Sequence, residues 1–230
     1  MGRFAALLAL IGWVNVAPVV ADGSPVVVEL YTSQGCSSCP PADALLQDLA
    51  KMENVIALAL HVDYWDYIGW RDSFADPAYS RRQHGYARAA NARMVYTPQM
   101  IIDGQTHVVG SRVMEVMAAV RARDSQEKPV SLRLRRDGGA LNIQAQSSAA
   151  GDFVVQLVRY QPAARVEIRQ GENAGNTFTY SHIVHDWRVI GGWDGRSELV
   201  ASVPLAGDSP AVVIVQESGF GRILGAAKIN

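Results

Sequence analysis

Along the chain the spacing of apolar residues changes near residue 128, and the change sorts the predicted elements into two sets. In the first set, residues 25–31 (PVVVELY) and 55–62 (VIALALHV) are apolar at successive positions, the pattern of strands buried on both faces. Between them Ala44, Leu45, Leu49 and Met52 recur near helical spacing over residues 42–52. This strand, helix, strand order predicts a parallel pair joined by a right-handed crossover. Asp76 before Pro77 is a helix start signal, and it opens one or two surface helices in the segment ending near Arg93. Residues 95–103, a turn at Gly104 and residues 106–109 predict a hairpin. Val113, Val116, Met117 and Val120 then place a closing helix over 113–123.

Beyond Glu127-Lys128-Pro129 the apolar period becomes two. The stretches 131–135, 141–146, 153–160, 178–190, 198–205, 211–216 and 222–229 predict strands separated by turns that carry Gly and Asp. That spacing reads as an antiparallel sandwich. The expected organisation is an α/β domain over residues 24–128 followed by an all-β sandwich domain over 129–230.

The N-terminus changes the context of everything after it. Arg3, an apolar run from about Phe4 to Val14 and the small residue Ala21 describe a secretory signal peptide over residues 1–21. Asn15 and Pro18 interrupt the run short of the roughly 20 apolar residues that a membrane span needs. The expectation is an exported bacterial protein, periplasmic or secreted, with no stable membrane insertion after cleavage. A formal net charge of −1 provides no broad basic field, so nucleic acid is not an expected partner.

Export also changes how the cysteines are read. The chain holds two of them, Cys36 and Cys39, in SQGCSSCPP between the first predicted strand and helix. A disulfide scaffold would scatter several cysteines through a short chain. A bond between residues this close removes little loop entropy from the unfolded state. A strand-to-helix turn, in contrast, sets the first sulfur near the positive end of the helix dipole, which favours the nucleophilic thiolate. Cys36 is then the attacking thiol and Cys39 the resolving one. Pro40 and Pro41 make the first helical turn irregular, and Ser37 and Ser38 add hydroxyl donors. Zinc would require two further ligands. His182 and His185 lie three apart on a predicted strand and face opposite ways, while His61, His84 and His107 are isolated. A Cu(I) site on the two thiolates and a static bond in a binding module both remain open.

The strand-CxxC-helix unit with Thr97-Pro98 ahead of the strand 99–103 resembles the thioredoxin fold. More closely, VELYTSQGCSSCPPADALLQDLA, HVDYWDYIGW and VYTPQMIIDG resemble a family of secreted bacterial proteins catalogued as domain of unknown function 1223. The resemblance implies a thioredoxin-like N-terminal domain with Cys36 and Cys39 as the redox pair. It also implies that Pro98 is a cis-proline facing that pair, and that Thr97 pairs by backbone with a substrate chain. Glu29, in an otherwise apolar strand, matches the buried acid that thioredoxin-like enzymes use as a proton relay, or else reaches an arginine or solvent at the strand end. Trp65, in the aromatic cluster Tyr64, Trp65, Tyr67 and Trp70, lies where the strand ends should line a substrate groove, or else the cluster packs as core. The longer stretch between Cys39 and Pro98 and the Pro-Pro after the motif depart from thioredoxin's pattern.

The expected activity is an exported thiol-disulfide oxidoreductase without cofactor. Its substrate would be a protein or small-molecule thiol or disulfide, and a second protein would recycle it. The rival readings are a copper or other metal handler and a protein-binding module.

Overall fold

The computed structural model describes residues 24–230. The signal-peptide reading of residues 1–21 lies outside them. Among the described residues no helix is long and apolar enough to cross a membrane.

The fully apolar stretches form the centre of one large sheet. Strand β1 (Val26–Thr32) pairs in parallel with β2 (Val55–His61), and α1 (Pro40–Leu49) makes the connection. Helix α2 (Pro77–Ala89) follows, capped by the Asp76 carboxylate, which accepts from the Ala78 amide at 2.7 Å. Then come β3 (Gln99–Ile102), antiparallel to β1, its hairpin partner β4 (Thr106–Val109) and α3 (Val113–Asp124).

The period-two half supplies β5 (Val130–Asp137), β6 (Ala140–Ser147), β7 (Phe153–Glu167), β8 (Thr177–Trp193), β9 (Leu199–Pro204), β10 (Ala211–Glu217) and β11 (Ile223–Ile229). Here the expected architecture is corrected. There is no thioredoxin α/β domain with a separate sandwich behind it. The fold is mostly β, 43% strand against 18% helix, and it is built on one mixed eight-stranded sheet of order β11-β10-β7-β8-β2-β1-β3-β4. Strands from both halves share that sheet, because β8 runs beside β2 in parallel with Ala59 opposite Ile183. Only β5, β6 and β9 form a sheet of their own.

The physical reason lies in β7 and β8. At 15 and 17 residues they are far longer than a sandwich strand, and their paired ends reach past the small sheet. The far end of β8 there covers the open edge of β2, satisfying backbone groups that would otherwise be a bare edge.

Three apolar layers hold the sheet. Val26, Val28 and Leu30 point to one face, against Leu45, Leu46 and Leu49 of α1 and Val116 and Val120 of α3. Val27 and Tyr31 point to the other, against Tyr79 and Tyr86 of α2, in a layer that continues through Leu58 and Leu60 to Val158, Val184, Val212 and Ile214. The third layer lies between the small sheet (Leu141, Ile143) and β7 and β10 (Leu157, Val213, Val215). The middle layer crosses from one half of the chain to the other, and so fixes how they sit.

Candidate functional site

Cys36 and Cys39 are joined in a disulfide, with Cα atoms 5.4 Å apart. The bond closes the turn that follows β1. Cys39 is the residue before the first turn of α1, and Pro40 and Pro41 fill the first two helical positions. Both lack an N–H, and the next amide, of Ala42, donates back to the Cys39 carbonyl at 2.8 Å. The Cys39 amide itself donates to the Cys36 carbonyl at 3.2 Å. The Cys39 and Ala42 amides at the helix start are therefore spent on backbone carbonyls rather than on Cys36 Sγ. Two hydroxyls stand in that place, Ser38 Oγ and Thr97 Oγ1, each 3.4 Å from Cys36 Sγ.

Thr97 comes from the opposite side of the site. The Thr97–Pro98 peptide bond is cis, just before β3. The Thr97 hydroxyl accepts from the Trp65 indole N–H at 2.7 Å, and Trp65 stacks on Tyr67, which is 82% exposed. Trp65, Thr97 and Cys36 thus form one contact chain, leading from a surface aromatic to the sulfur. Pro98 packs close to Gly110, where an added Cβ would sit 3.3 Å from Pro98 Cβ and 3.0 Å from that of Ala42.

Both cysteines are fully buried. Ile68 and Trp65, from the segment after β2, lie over Gly35. Trp70 donates its indole N–H to Gln34 Oε1 at 2.8 Å. From the other half of the chain, the Asn173 side-chain amide in the β7–β8 connection donates to the carbonyls of Gln34 (2.9 Å) and Cys36 (3.0 Å). Nothing in the sequence around Asn173 marks this role.

Glu29 does not sit with the cysteines. Its side chain leaves β1 on the α2 face, where Arg82 grips it through Nε (2.7 Å) and Nη2 (2.9 Å). The hydroxyls of Tyr86 and Tyr31 add further donors at 2.6 and 3.0 Å. Of the alternatives that the sequence leaves for Glu29, a proton relay or a partner in arginine or solvent, the contacts display the arginine.

Two buried acids, Asp72 and Asp43, lie on the cysteine side, and sequence reasoning missed both; the one on α1 is Asp43. It lies four residues after Cys39 on α1, so both occupy one face of the helix, and helical side chains lean toward the N-terminus and hence toward Cys39. Thr32 Oγ1 donates to its carboxylate at 2.8 Å. Burial pushes its pKa up to about 7, against the opposing pull of His61 and the Thr32 hydrogen bond. Beside it the fully buried His61 Nδ1 meets Asp72 Oδ2 at 2.7 Å, and Asp72 also accepts from the Gln34 amide. His61 Nε2 has no hydrogen-bond partner among the described residues. The available signals were an acid on the apolar face of α1 and a histidine ending an apolar strand.

Among the described residues no group of three His, Cys, Asp or Glu is arranged to hold a metal ion. The chemistry this arrangement allows is exchange of the disulfide with a thiol, with a carboxyl group of near-neutral pKa four residues along α1 from Cys39.

Comparison with known proteins agrees with this architecture. Among solved structures, a crystal structure of a protein from Agrobacterium tumefaciens is 32% identical, with a TM-score of 0.79 over 90% of this chain and 95% of that one. HBP35 of Porphyromonas gingivalis is similar in fold, with a TM-score of 0.65 at 13% identity over 90% of this chain and 75% of its own. No curated protein matches. The profile of the family described as "Protein of unknown function (DUF1223)" matches residues 27–216, and together with the 32% identical relative this places the chain in that family.

Proposed function

We propose that the protein is a thiol-disulfide oxidoreductase acting through the Cys36–Cys39 bond. The observation that carries the reading is the asymmetry of the two sulfurs. Cys36 Sγ is met by two hydroxyls, one from the cis Thr97–Pro98 segment, whereas Cys39 is built into the start of α1.

A thiolate of a protein or small-molecule partner attacks Cys36 Sγ, and the Cys36–Cys39 bond breaks. Its electron pair leaves on Cys39 Sγ, which takes a proton from Asp43. A second partner thiolate then attacks the partner sulfur of the mixed disulfide, releasing the oxidised partner and Cys36 as a thiolate. The net result is one disulfide reduced in this chain and one formed in the substrate. In the reverse direction Asp43 accepts the Cys39 proton, and Cys39 resolves the mixed disulfide. The Ser38 and Thr97 hydroxyls stabilise the Cys36 thiolate in both directions. Trp65, stacked under Tyr67 and bonded to Thr97, forms the approach to the sulfur. The resemblance in residues 1–21 to a signal peptide supports action outside the cytoplasm, where a recycling oxidant or reductant would restore the pair.

The full burial of both cysteines favours a second reading, a static bond in a binding module. One experiment separates them. The chain is equilibrated in glutathione buffers of graded potential, and the thiols are alkylated under native conditions. Exchange requires a reversible two-electron transition, and Cys39→Ser should accumulate a mixed disulfide on Cys36. A bond that reacts only after denaturation would overturn the redox reading.

A further inference from the structure

On the α2 side of the sheet, away from the cysteines, a cleft of about 400 Å³ opens between α2 and strands β7, β8 and β10. None of its lining residues belongs to the disulfide site. Its volume falls in the range of small-molecule pockets.

The floor is polar and buried. Arg82 and Gln156 are 8% and 4% exposed. Arg82 spends Nε and Nη2 on Glu29, and one Nη1 hydrogen on Gln156 Oε1 at 3.1 Å. Gln156 gives one amide hydrogen to Gln216 Oε1 at 3.0 Å. Each group carries a second N–H that no acceptor among the described residues takes. Two buried donors without acceptors are costly unless a ligand or water supplies oxygen.

The walls are aromatic. Trp187 lies with its ring 3.9 Å from the Arg82 guanidinium carbon, and its indole N–H is held by Gln156 at 2.8 Å. Phe220 faces it from the β10–β11 turn, with φ +64°, a left-handed conformation that costs a bulky side chain energy. It can approach only because Gly85 of α2 has no Cβ, which would stand 2.3 Å from the Phe220 ring. At the rim, Arg81 and Arg88 are exposed and no carboxylate among the described residues pairs with either, while the one acid in the lining, Glu217, is paired with Arg222 at 3.2 Å. Val189, 64% exposed, extends the apolar wall to the mouth.

The geometry points to a binding site for a small organic monoanion with an apolar body. Trp187, Phe220 and Val189 take the body, while Arg81, Arg88 and the spare floor donors take the acid group. A neutral amphiphile would gain nothing from the two rim charges, and an inorganic anion would leave the apolar walls in water.

Titration calorimetry of the full chain with decanoate tests the assignment, with neutral decanol as the control. Saturable one-to-one binding of decanoate is expected, at least tenfold tighter than decanol. R81A/R88A should weaken it at least tenfold, and Val189→Glu should do the same by placing a negative charge in the wall. All three substituted side chains are exposed, and unchanged circular dichroism melting would show that the variants fold. Absence of saturable decanoate binding overturns the proposal. Equal affinity for decanol, or an affinity that R81A/R88A leaves within twofold, overturns the anionic class.

Discussion

Asp43 shows how one side chain couples chemistry to stability. Its folded-state pKa, about 7, lies above that of an exposed aspartate, so the folded chain holds this proton more tightly than the unfolded chain does. The stabilising effect of that proton is fully present below the unfolded pKa, and it is lost as pH rises through about 7. Asp43→Asn removes the titration while keeping an acceptor for Thr32. Relative to the wild type, the variant should therefore gain stability from about pH 4 to pH 7, by about 1.4 kcal/mol per pH unit at the steepest. Urea unfolding at several pH values measures this difference, and a difference independent of pH would show that Asp43 titrates as it would in water. If Asp43 also carries the Cys39 proton, the same variant should lower exchange rates below pH 7, where the wild type holds the acid form. Glu29 makes a contrast. It is equally buried, but two arginine bonds and two tyrosine hydroxyls answer its charge, which makes it part of the packing between β1 and α2.

At the scale of elements, the site is assembled from four segments that are remote in sequence. The β1–α1 turn carries the sulfurs, the segment after β2 covers them, the cis Thr97–Pro98 turn presents a hydroxyl, and the β7–β8 connection latches the turn through Asn173. Asn173→Ala leaves the carbonyls of Gln34 and Cys36 without that donor in a buried place, a cost of about 1–3 kcal/mol. The disulfide should then be reached more readily. Reduction by dithiothreitol, followed by alkylation and mass spectrometry, is expected to speed up several-fold, with little change in far-UV circular dichroism. An unchanged rate would mean that the latch does not control access.

The whole molecule is joined along the β2–β8 seam. The direct backbone pairing there is short, with Ala59 opposite Ile183, but the His182 ring nitrogen meets the Ala57 carbonyl at 2.9 Å, and the apolar layer of Leu58, Leu60, Tyr160 and Val184 spans the join. A fragment of residues 24–128 would expose the β2 edge and that half-layer to water. It is expected to lack a cooperative urea transition by tryptophan fluorescence and to associate in sedimentation. A sharp, monomeric transition of the isolated fragment would show that the seam is dispensable.

Local pattern was enough for most elements, although it ended β7 at residue 160 where the strand runs on to Glu167. The apolar runs of β1 and β2, the Asp76-Pro77 start of α2 and the alternation beyond residue 128 are short-range consequences of how helices and strands bury one face or two. The cysteine pair, too, stood in the sequence, because its spacing and position between strand and helix are local facts. The tertiary structure decided which strands are neighbours, and thereby replaced two expected domains with one shared sheet. Alternation records that a face is buried without recording against what, so β8 beside β2 and Asn173 over Cys36 were invisible. The same limit applied to the acids. Burial cost makes any carboxylate in an apolar stretch conspicuous, but only the fold decides that Arg82 answers Glu29 while Asp43 has no arginine among the described residues and keeps a pKa of about 7.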